Sequence, residues 1–373
     1  MNRKICFITT GDIKNIATSK RALGLANPLT KLGWDVSIIM EDTEENRSRV
    51  HMECNNQIDV LYLLYSNAND ERKKKAKLLK EINPDVVYIC AFVFRNIIST
   101  PRNCIRLVEH SELQSEIADV RGVHKIRAYI QEYYSIVYST GLLNASRYLE
   151  NVFRKRARWC LKGNMPMLYS PYAYNKDVCT IDENASRLLK KKDEERFFVF
   201  LGSLALNYGA MTMVKAFEKI SKSMPNIKLL LCGRGSAFKH VCEYIKVHHL
   251  EETVYTPGYI KEEDIPGYFT LADGFISPMN DSVQDWARCP SKLYMYLPYK
   301  KPIVTCRIGE PYETLGDKGY YFTPSDANSL AETVMKIAEQ NKWKLDIDPS
   351  LHEWNSRAQE LDRWIKSQFK CQL

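Results

Sequence analysis

Chemistry in this chain concentrates where glycines, hydroxyls and cations follow apolar runs. Two such places are Gly202-Ser203-Leu204-Ala205-Leu206-Asn207-Tyr208-Gly209 and Gly233-Arg234-Gly235-Ser236. Each follows a strand-like run and opens into a helical one. Glycine lets the backbone approach a ligand closely, and the helix that follows offers N–H donors and a positive partial charge, so phosphate is the natural guest. Neither segment is a P-loop, and G-x-G alone also serves as a tight packing turn. A third place runs from Ser277-Pro278-Met279-Asn280-Asp281-Ser282 through Arg288-Cys289-Pro290-Ser291-Lys292-Leu293-Tyr294-Met295-Tyr296. Pro290 in the first turn of a helix sacrifices no hydrogen bond, Ser291 and the neighbouring N–H groups can hold an anion, and Lys292 supplies a point charge. That is a diphosphate site in outline, and equally the outline of a capped helix with a surface lysine.

The first half offers acids and an imidazole: Glu109 and His110 close a strand, and Glu112, Glu116 and Asp119 follow. A carboxylate or imidazole within hydrogen-bond reach of a hydroxyl can take its proton. The same residues also read as a satisfied structural histidine and one solvated helix face. No D-x-D motif stands at a strand end, and the 11 cysteines are scattered without a C-x-x-C pair or a Cys/His ladder. No metal site is therefore expected, and the thiols are expected to be reduced and largely in the core.

Two domains must position these residues, since 373 residues exceed the usual size of one and the composition, 45% apolar and 26% charged, is ordinarily globular. Strands are predicted at 4–10, 36–40, 58–65, 85–91 and 105–108, with helices at 24–33 and 71–82 between them. Residues 124–162 read as one or two long, Tyr-rich helices and 167–170 as a last strand. A solvated connector follows, with Pro171, Asn175, Asp182 and Lys190-Lys191-Lys192-Asp193-Glu194-Glu195. Alternation restarts with strands at 197–201, 227–232, 254–256, 274–277, 302–305 and 320–322. The class is α/β, with domains over 1–172 and 173–350, each a doubly wound parallel sheet. Residues 351–369 place Trp354, Ala358, Leu361, Trp364 and Ile365 at helical spacing, an amphipathic helix that needs a partner surface.

The net charge of +8 lies in the first 175 residues, which hold 26 Lys+Arg against 18 Asp+Glu, while the remainder holds 27 of each. One cluster is Lys73, Lys74, Lys75 and Lys77. Another, Arg147, Arg154, Lys155, Arg156, Arg158 and Lys162, is interleaved with Tyr148, Leu149, Val152, Phe153 and Trp159. The second is suited to peripheral contact with an anionic membrane, or is a solvated helix face. Nucleic-acid motifs are absent, and no nucleic-acid partner is expected. No apolar run approaches the ~20 residues of a membrane span, and the N-terminal run lacks the long apolar region of a signal peptide. A cytoplasmic protein, peripheral at most to the inner face of the membrane, is expected.

The order of the motifs resembles the nucleotide-sugar-binding domain of the GT-B glycosyltransferases related to glycogen synthase, family 4 or group 1. The resemblance rests on "FLGSLALNYGAMTMVKAF", "KLLLCGRG", "VYTPGYI", "YFTLADGFISPMNDS", "CPSKLYMYLPYKKPIV" and "SDANSLAETVMKIAE", and more loosely on "ICFITTGD", "LTKLGWDVSII", "INPDVVYI" and "VEHSELQSEI". It implies a GT-B fold of two Rossmann-like domains facing each other across a cleft, with the last helix, 351–373, crossing back onto the first. It implies a nucleoside-diphosphate sugar as donor substrate, UDP before GDP, a glycan or polyprenyl-linked acceptor, and no further cofactor. By motif position Gly202, Ser203 and Leu204 would line the diphosphate with Gly233, Arg234 and Gly235 beside it. Tyr259 and Ile260 would flank the base, Asp281 would face the sugar, and Pro290, Ser291 and Lys292 would meet phosphate. His110, with Glu109 and Glu112, would face the transferred sugar.

Departures accompany the matches. The Arg and Lys that relatives place after the first glycine are Ser203 or Leu204 and Tyr208 here, and the Glu that holds the ribose hydroxyls is Met295. Losing that acceptor weakens binding by roughly 1–3 kcal/mol unless another group, such as Asp281 or Asp285, replaces it. Lys292, Arg234 and Arg288 remain to balance the diphosphate. Cations and helix N-termini can stabilise the leaving group without metal, and the resemblance favours retention of configuration. A non-catalytic GT-B binding protein and a sugar-nucleotide epimerase are the rival readings.

Overall fold

The computed structural model describes residues 3–13, 18–90, 92–96 and 104–371. They form two compact units, one comprising the chain up to Ala173 together with Ala287–Cys289 and the chain from Ser350, the other Tyr174–Trp286 and Pro290–Pro349.

The first unit alternates β1 (Arg3–Ile8), α1 (Thr18–Lys31), β2 (Trp34–Glu41), α2 (Glu44–Glu53), β3 (Asp59–Leu63), α3 (Ala68–Ile82), β4 (Val86–Ile89), β5 (Ile105–His110), α4 (Val123–Tyr138), β6 (Gly141–Asn144), α5 (Arg147–Trp159) and β7 (Met167–Tyr169). The sheet is parallel in the order β3-β2-β1-β4-β5-β6-β7. Val86–Ile89 of β4 and Ile5–Ile8 of β1 are buried on both faces, which is why they read as unbroken apolar runs. The strand predicted at 85–91 ends by Ile89, and Ala91 lies outside the described residues.

Residues 124–162 are not one long helical stretch: β6 interrupts them. Its four residues, Gly-Leu-Leu-Asn, are too few to show a strand period, and they pair in parallel with β5 on one side and β7 on the other. The second basic cluster divides between an exposed face, with Arg154, Lys155 and Arg158, and a buried one. Leu149, Phe153 and Ala157 of α5 face the core, and Arg156 is buried against Glu132 at 2.6 Å. Lys75 of the other cluster is likewise buried, paired with Glu71 at 2.5 Å.

The second unit holds β8 (Arg196–Leu201), α6 (Ala210–Ile220), β9 (Ile227–Cys232), α7 (Phe238–Val247), β10 (Val254–Gly258), α8 (Ile265–Leu271), β11 (Gly274–Ser277), α9 (Val283–Ala287, whose last residue belongs to the first unit), α10 (Ser291–Tyr296), β12 (Ile303–Thr305), α11 (Gly309–Leu315), β13 (Tyr320–Tyr321) and α12 (Ala327–Glu339). Its parallel order, β10-β9-β8-β11-β12-β13, repeats the pattern of the first sheet. In both, the order reverses beside the first strand of the unit, where a crevice opens at the carboxyl ends. All 11 cysteines are unpaired, and only Cys371 is exposed. Among the described residues no helix is long and apolar enough to cross a membrane.

The last helix, α13 (Trp354–Gln368), packs on α1 of the first unit. Trp34 Nε1 donates to Asp362 at 2.8 Å, and Gly24 admits the Trp354 ring so closely that a Cβ there would lie 2.3 Å from it. Helix propensity alone would make Gly24→Ala stabilising by about 1 kcal/mol. The collision reverses the sign: Gly24→Ala is expected to destabilise the first unit by about 1–3 kcal/mol, measured by urea unfolding.

Candidate active site

The glycine loops of the second unit meet backbone to backbone. Gly202, with φ of +146°, donates its N–H to Cys232 O, and Gly233, with φ of +150°, donates to Gly258 O at 2.7 Å. A Cβ on Gly233 would fall 1.9 Å from Gly202 O, and one on Gly235 would fall 2.6 Å from Leu204 O. Gly233 and Gly235 therefore exist to let one loop lie on the other. Leu204 does not line a ligand site as expected: its side chain is in the core, its N–H donates to Arg234 O and its carbonyl accepts from Ala237. Ser203 remains exposed beside Gly202. Gly209 begins α6 without a side-chain cap, so the first-turn N–H donors of that helix need an acceptor from elsewhere.

Lys292 is delivered to the same place. Its Nζ lies 3.8 Å from the centroid of the Phe200 ring, and a Cβ on Gly202 would be 3.2 Å from that Nζ. Helix α10 is held there from beneath: Tyr296 OH accepts the Leu201 N–H at 3.0 Å, and Tyr294 OH donates to the buried Glu310 at 2.6 Å. With Leu293, Tyr294 and Tyr296 buried, Ser291, Lys292 and Met295 are left on the half-buried face. Pro290 sits just before the helix, at the N-cap with ψ of 107°, rather than in its first turn.

The remaining candidates divide. Arg234 is exposed and folds back over Gly258, 3.2 Å from the position a Cβ would take, and Tyr259 next to it is exposed while Ile260 is buried. Only the tyrosine ring of that pair is open to a base. Asp281 is exposed and accepts from Trp286 Nε1 at 2.8 Å. Asp285 is not a spare ribose acceptor, because its buried carboxylate accepts the Asn280 N–H at 2.5 Å. Asn280 in turn reaches Asn207 O and accepts from Ser325, bracing three loops together.

In the first unit, the two residues expected to face the sugar have structural partners. Glu109 is buried, with Oε1 2.6 Å from Arg21 Nε and Oε2 accepting from Tyr88 OH at 3.1 Å. Burial raises its carboxyl, and the Arg21 charge opposes that. His110 is buried too, its ring stacked 3.9 Å from Phe153 and its Nε2 2.9 Å from Ser135 Oγ. Burial, with Arg156 nearby, lowers its pKa to about 3, so the imidazole is neutral and its reach is spent on Ser135. Glu112 alone of the three is accessible. It lines a cavity of about 680 Å³ with Thr10, Ser111, Arg72 and Arg127, beyond the carboxyl ends of β1 and β5. The surrounding protein pushes its carboxyl above the ordinary range, and Arg288 offsets part of that.

Comparison with known proteins decides the class of the second unit: residues 182–360 match the family described as glycosyl transferases group 1. That match to a group 1 glycosyltransferase domain spans just under half of the chain. No curated protein sequence matches the chain. Among solved structures, Anabaena HepE in complex with UDP and glucose is similar at 14% identity over 98% of this chain and 100% of its own, with a TM-score of 0.76. Sucrose-phosphate synthase from Thermosynechococcus elongatus is similar at 16% identity, 99% and 100% coverage and a TM-score of 0.72. The pneumococcal O-GlcNAc transferase GtfA, in complex with UDP and GlcNAc, gives 9% identity, 98% and 99% coverage and 0.69. The chain thus has the GT-B fold.

Several positioning residues of this glycosyltransferase escape a sequence reading. Tyr294 and Tyr296 flank Met295 in a motif otherwise noted for its lysine, and Glu310 and Arg21 find their partners only through the tertiary fold. His110 yields a test of its burial. Its native pKa lies below its unfolded one, so the unfolded chain binds the extra proton between about pH 6.5 and 3, and stability falls as pH falls through that window. The contribution is about 1.4 kcal/mol per pH unit. Urea midpoints measured from pH 7 to 4 should show this slope in the native chain and lose it in His110→Gln.

Proposed function

We propose that the enzyme moves a sugar from a nucleoside diphosphate, UDP before GDP, to a hydroxyl of a glycan or lipid-linked acceptor in polysaccharide or glycoconjugate assembly. The observation that carries the reading is the meeting of Lys292 Nζ with the Gly202 turn at the carboxyl end of β8. UDP in the structures of HepE and GtfA supports the choice of base. In this reading the diphosphate lies against Gly202, Ser203 and the first turn of α6, with Lys292 on its oxygens and the exposed Tyr259 ring against the base. Met295 leaves the ribose without the usual carboxylate, and Asp281 is the accessible acid nearest in sequence.

The chemistry follows from where charge develops. The bond between the anomeric carbon and the phosphate oxygen breaks, the diphosphate keeps the electron pair, and Lys292 with the α6 N–H donors stabilises it. The acceptor oxygen bonds to the anomeric carbon from the same face, and its proton passes to a diphosphate oxygen, so configuration is retained without a side-chain base. Glu112 orients the acceptor from the cavity in the first unit. Fixed cations substitute for a metal ion.

Thermal unfolding with UDP, GDP, ADP or TDP in EDTA tests the donor site. UDP at 100 times its dissociation constant should add about 2.7 kcal/mol, and Lys292→Ala should abolish the shift; a shift that survives the substitution rejects this placement. Transfer should proceed undiminished in EDTA, and the anomeric proton of the product, read by NMR, should keep the donor's configuration. Inversion would return Glu112 to the role of base.

A further inference from the structure

We propose that α4 is the surface by which this enzyme rests on an anionic lipid bilayer. Val123, Ile126, Ile130, Tyr134 and Val137 all point outward along it, with exposures of 78%, 61%, 55%, 42% and 55%. At ~100° per residue they fall within an arc of about 80°, a stripe about 21 Å long. Its opposite face, Gln131, Glu132, Ser135 and Ile136, is buried in the first unit. At the end of α5 and just past it, Trp159 and Leu161 are 83% and 95% exposed. A solvated helix in a soluble protein rarely shows such a face unless something covers it.

Charge identifies the covering partner. Between Val120 and Lys162 the sequence has nine Lys and Arg against two carboxylates, Glu132 and Glu150. Both carboxylates are buried, one with Arg156 and the other with Arg147 and Arg154. The exposed charges along α4 and α5 are thus mainly cationic: Arg121, Arg127, Arg154, Lys155 and Arg158, with Lys125 paired to Glu116 at 3.1 Å and Asp119 the exposed acid just before α4. Arg158 and Lys162, with Arg106 and Leu161, also line a recess of about 740 Å³. A second copy of the chain would bring the same charge to the interface, and like charges oppose that pairing. Anionic headgroups over an acyl layer satisfy both halves of the surface at once.

The surface is also held rigid. Arg156 pairs with Glu132 and lies over the rings of Tyr129 and Tyr133, and Lys162 Nζ donates to the carbonyls of Ile136, Val137 and Ser139 at the end of α4. One flank of the same helix, through His124, Arg127, Ala128 and Gln131, lines the cavity that Glu112 also lines. Docking would therefore bring that cavity to the headgroup layer and select a lipid-linked acceptor. This last consequence rests on the glycosyl-transfer reading; the docking itself does not.

The full chain, incubated with vesicles of equal phosphatidylglycerol and phosphatidylcholine, should sediment with them, and should not sediment with phosphatidylcholine alone. Ile126→Ser with Ile130→Ser and Trp159→Ser should lower binding at least tenfold, with the unfolding midpoint and the UDP shift unchanged. Indifference of the native chain to the anionic vesicles, or equal binding by the triple variant, overturns the proposal. So does a native dimer that the variant converts to monomer, which would give the stripe to a second copy. Failure of UDP to bind would overturn the transfer reading and leave the vesicle result standing.

Discussion

The first unit is organised around one buried cation. Arg21, on α1, is fully enclosed, and it reaches Glu109 on β5, Ser170 and Pro171 after β7, and the rings of Tyr172 and Trp354. Two charges in such a place are tolerable only because each satisfies the other, and removing either partner of a buried pair costs about 3–5 kcal/mol. The pair therefore fixes which strand ends and which helices lie together. It also explains why an acid at a strand end, in a position that invites a catalytic reading, is unavailable for catalysis.

The second unit uses the opposite device. Where the first fills its centre with a large charged side chain, the second removes side chains altogether, so that two turns lie in backbone contact at Gly202, Gly233, Leu204 and Gly235. Phe200 and Tyr296 then set Lys292 above that surface. One lysine, an uncapped helix and an exposed tyrosine are what that surface offers a ligand. The group 1 family match over 182–360 takes in both glycine turns and Lys292.

Much of this was legible in the sequence, for reasons that can be named. Central parallel strands such as β9 and β11 are largely apolar and bounded by turn residues, so the sequence pattern at 227–232 and 274–277 has the bounds the structure has. The strand β6 was hidden because four residues carry no period. The amphipathic character of α5 was visible, but a periodic pattern cannot distinguish an apolar face that meets a core from one that meets something outside, and α5 meets the core. Leu204 was placed with the ligand contacts by its motif, whereas its burial follows from a loop packed on it from β9. Arg21 and Glu109 carry no local signal of their pairing at all.

The unpaired cysteines have a use outside catalysis. Cys6, Cys90, Cys104, Cys232, Cys289 and Cys306 are buried, and burial raises the thiols of Cys54 and Cys306 to about 12 and of Cys104 to about 11. The thiolate, which is the reactive form, is scarce in all three. Cys371, exposed just beyond α13, is the natural first target of an alkylating probe. The chain thus carries a labelling handle at the end of its last helix and an internal clock, since each further thiol that reacts records the opening of a particular layer of the fold.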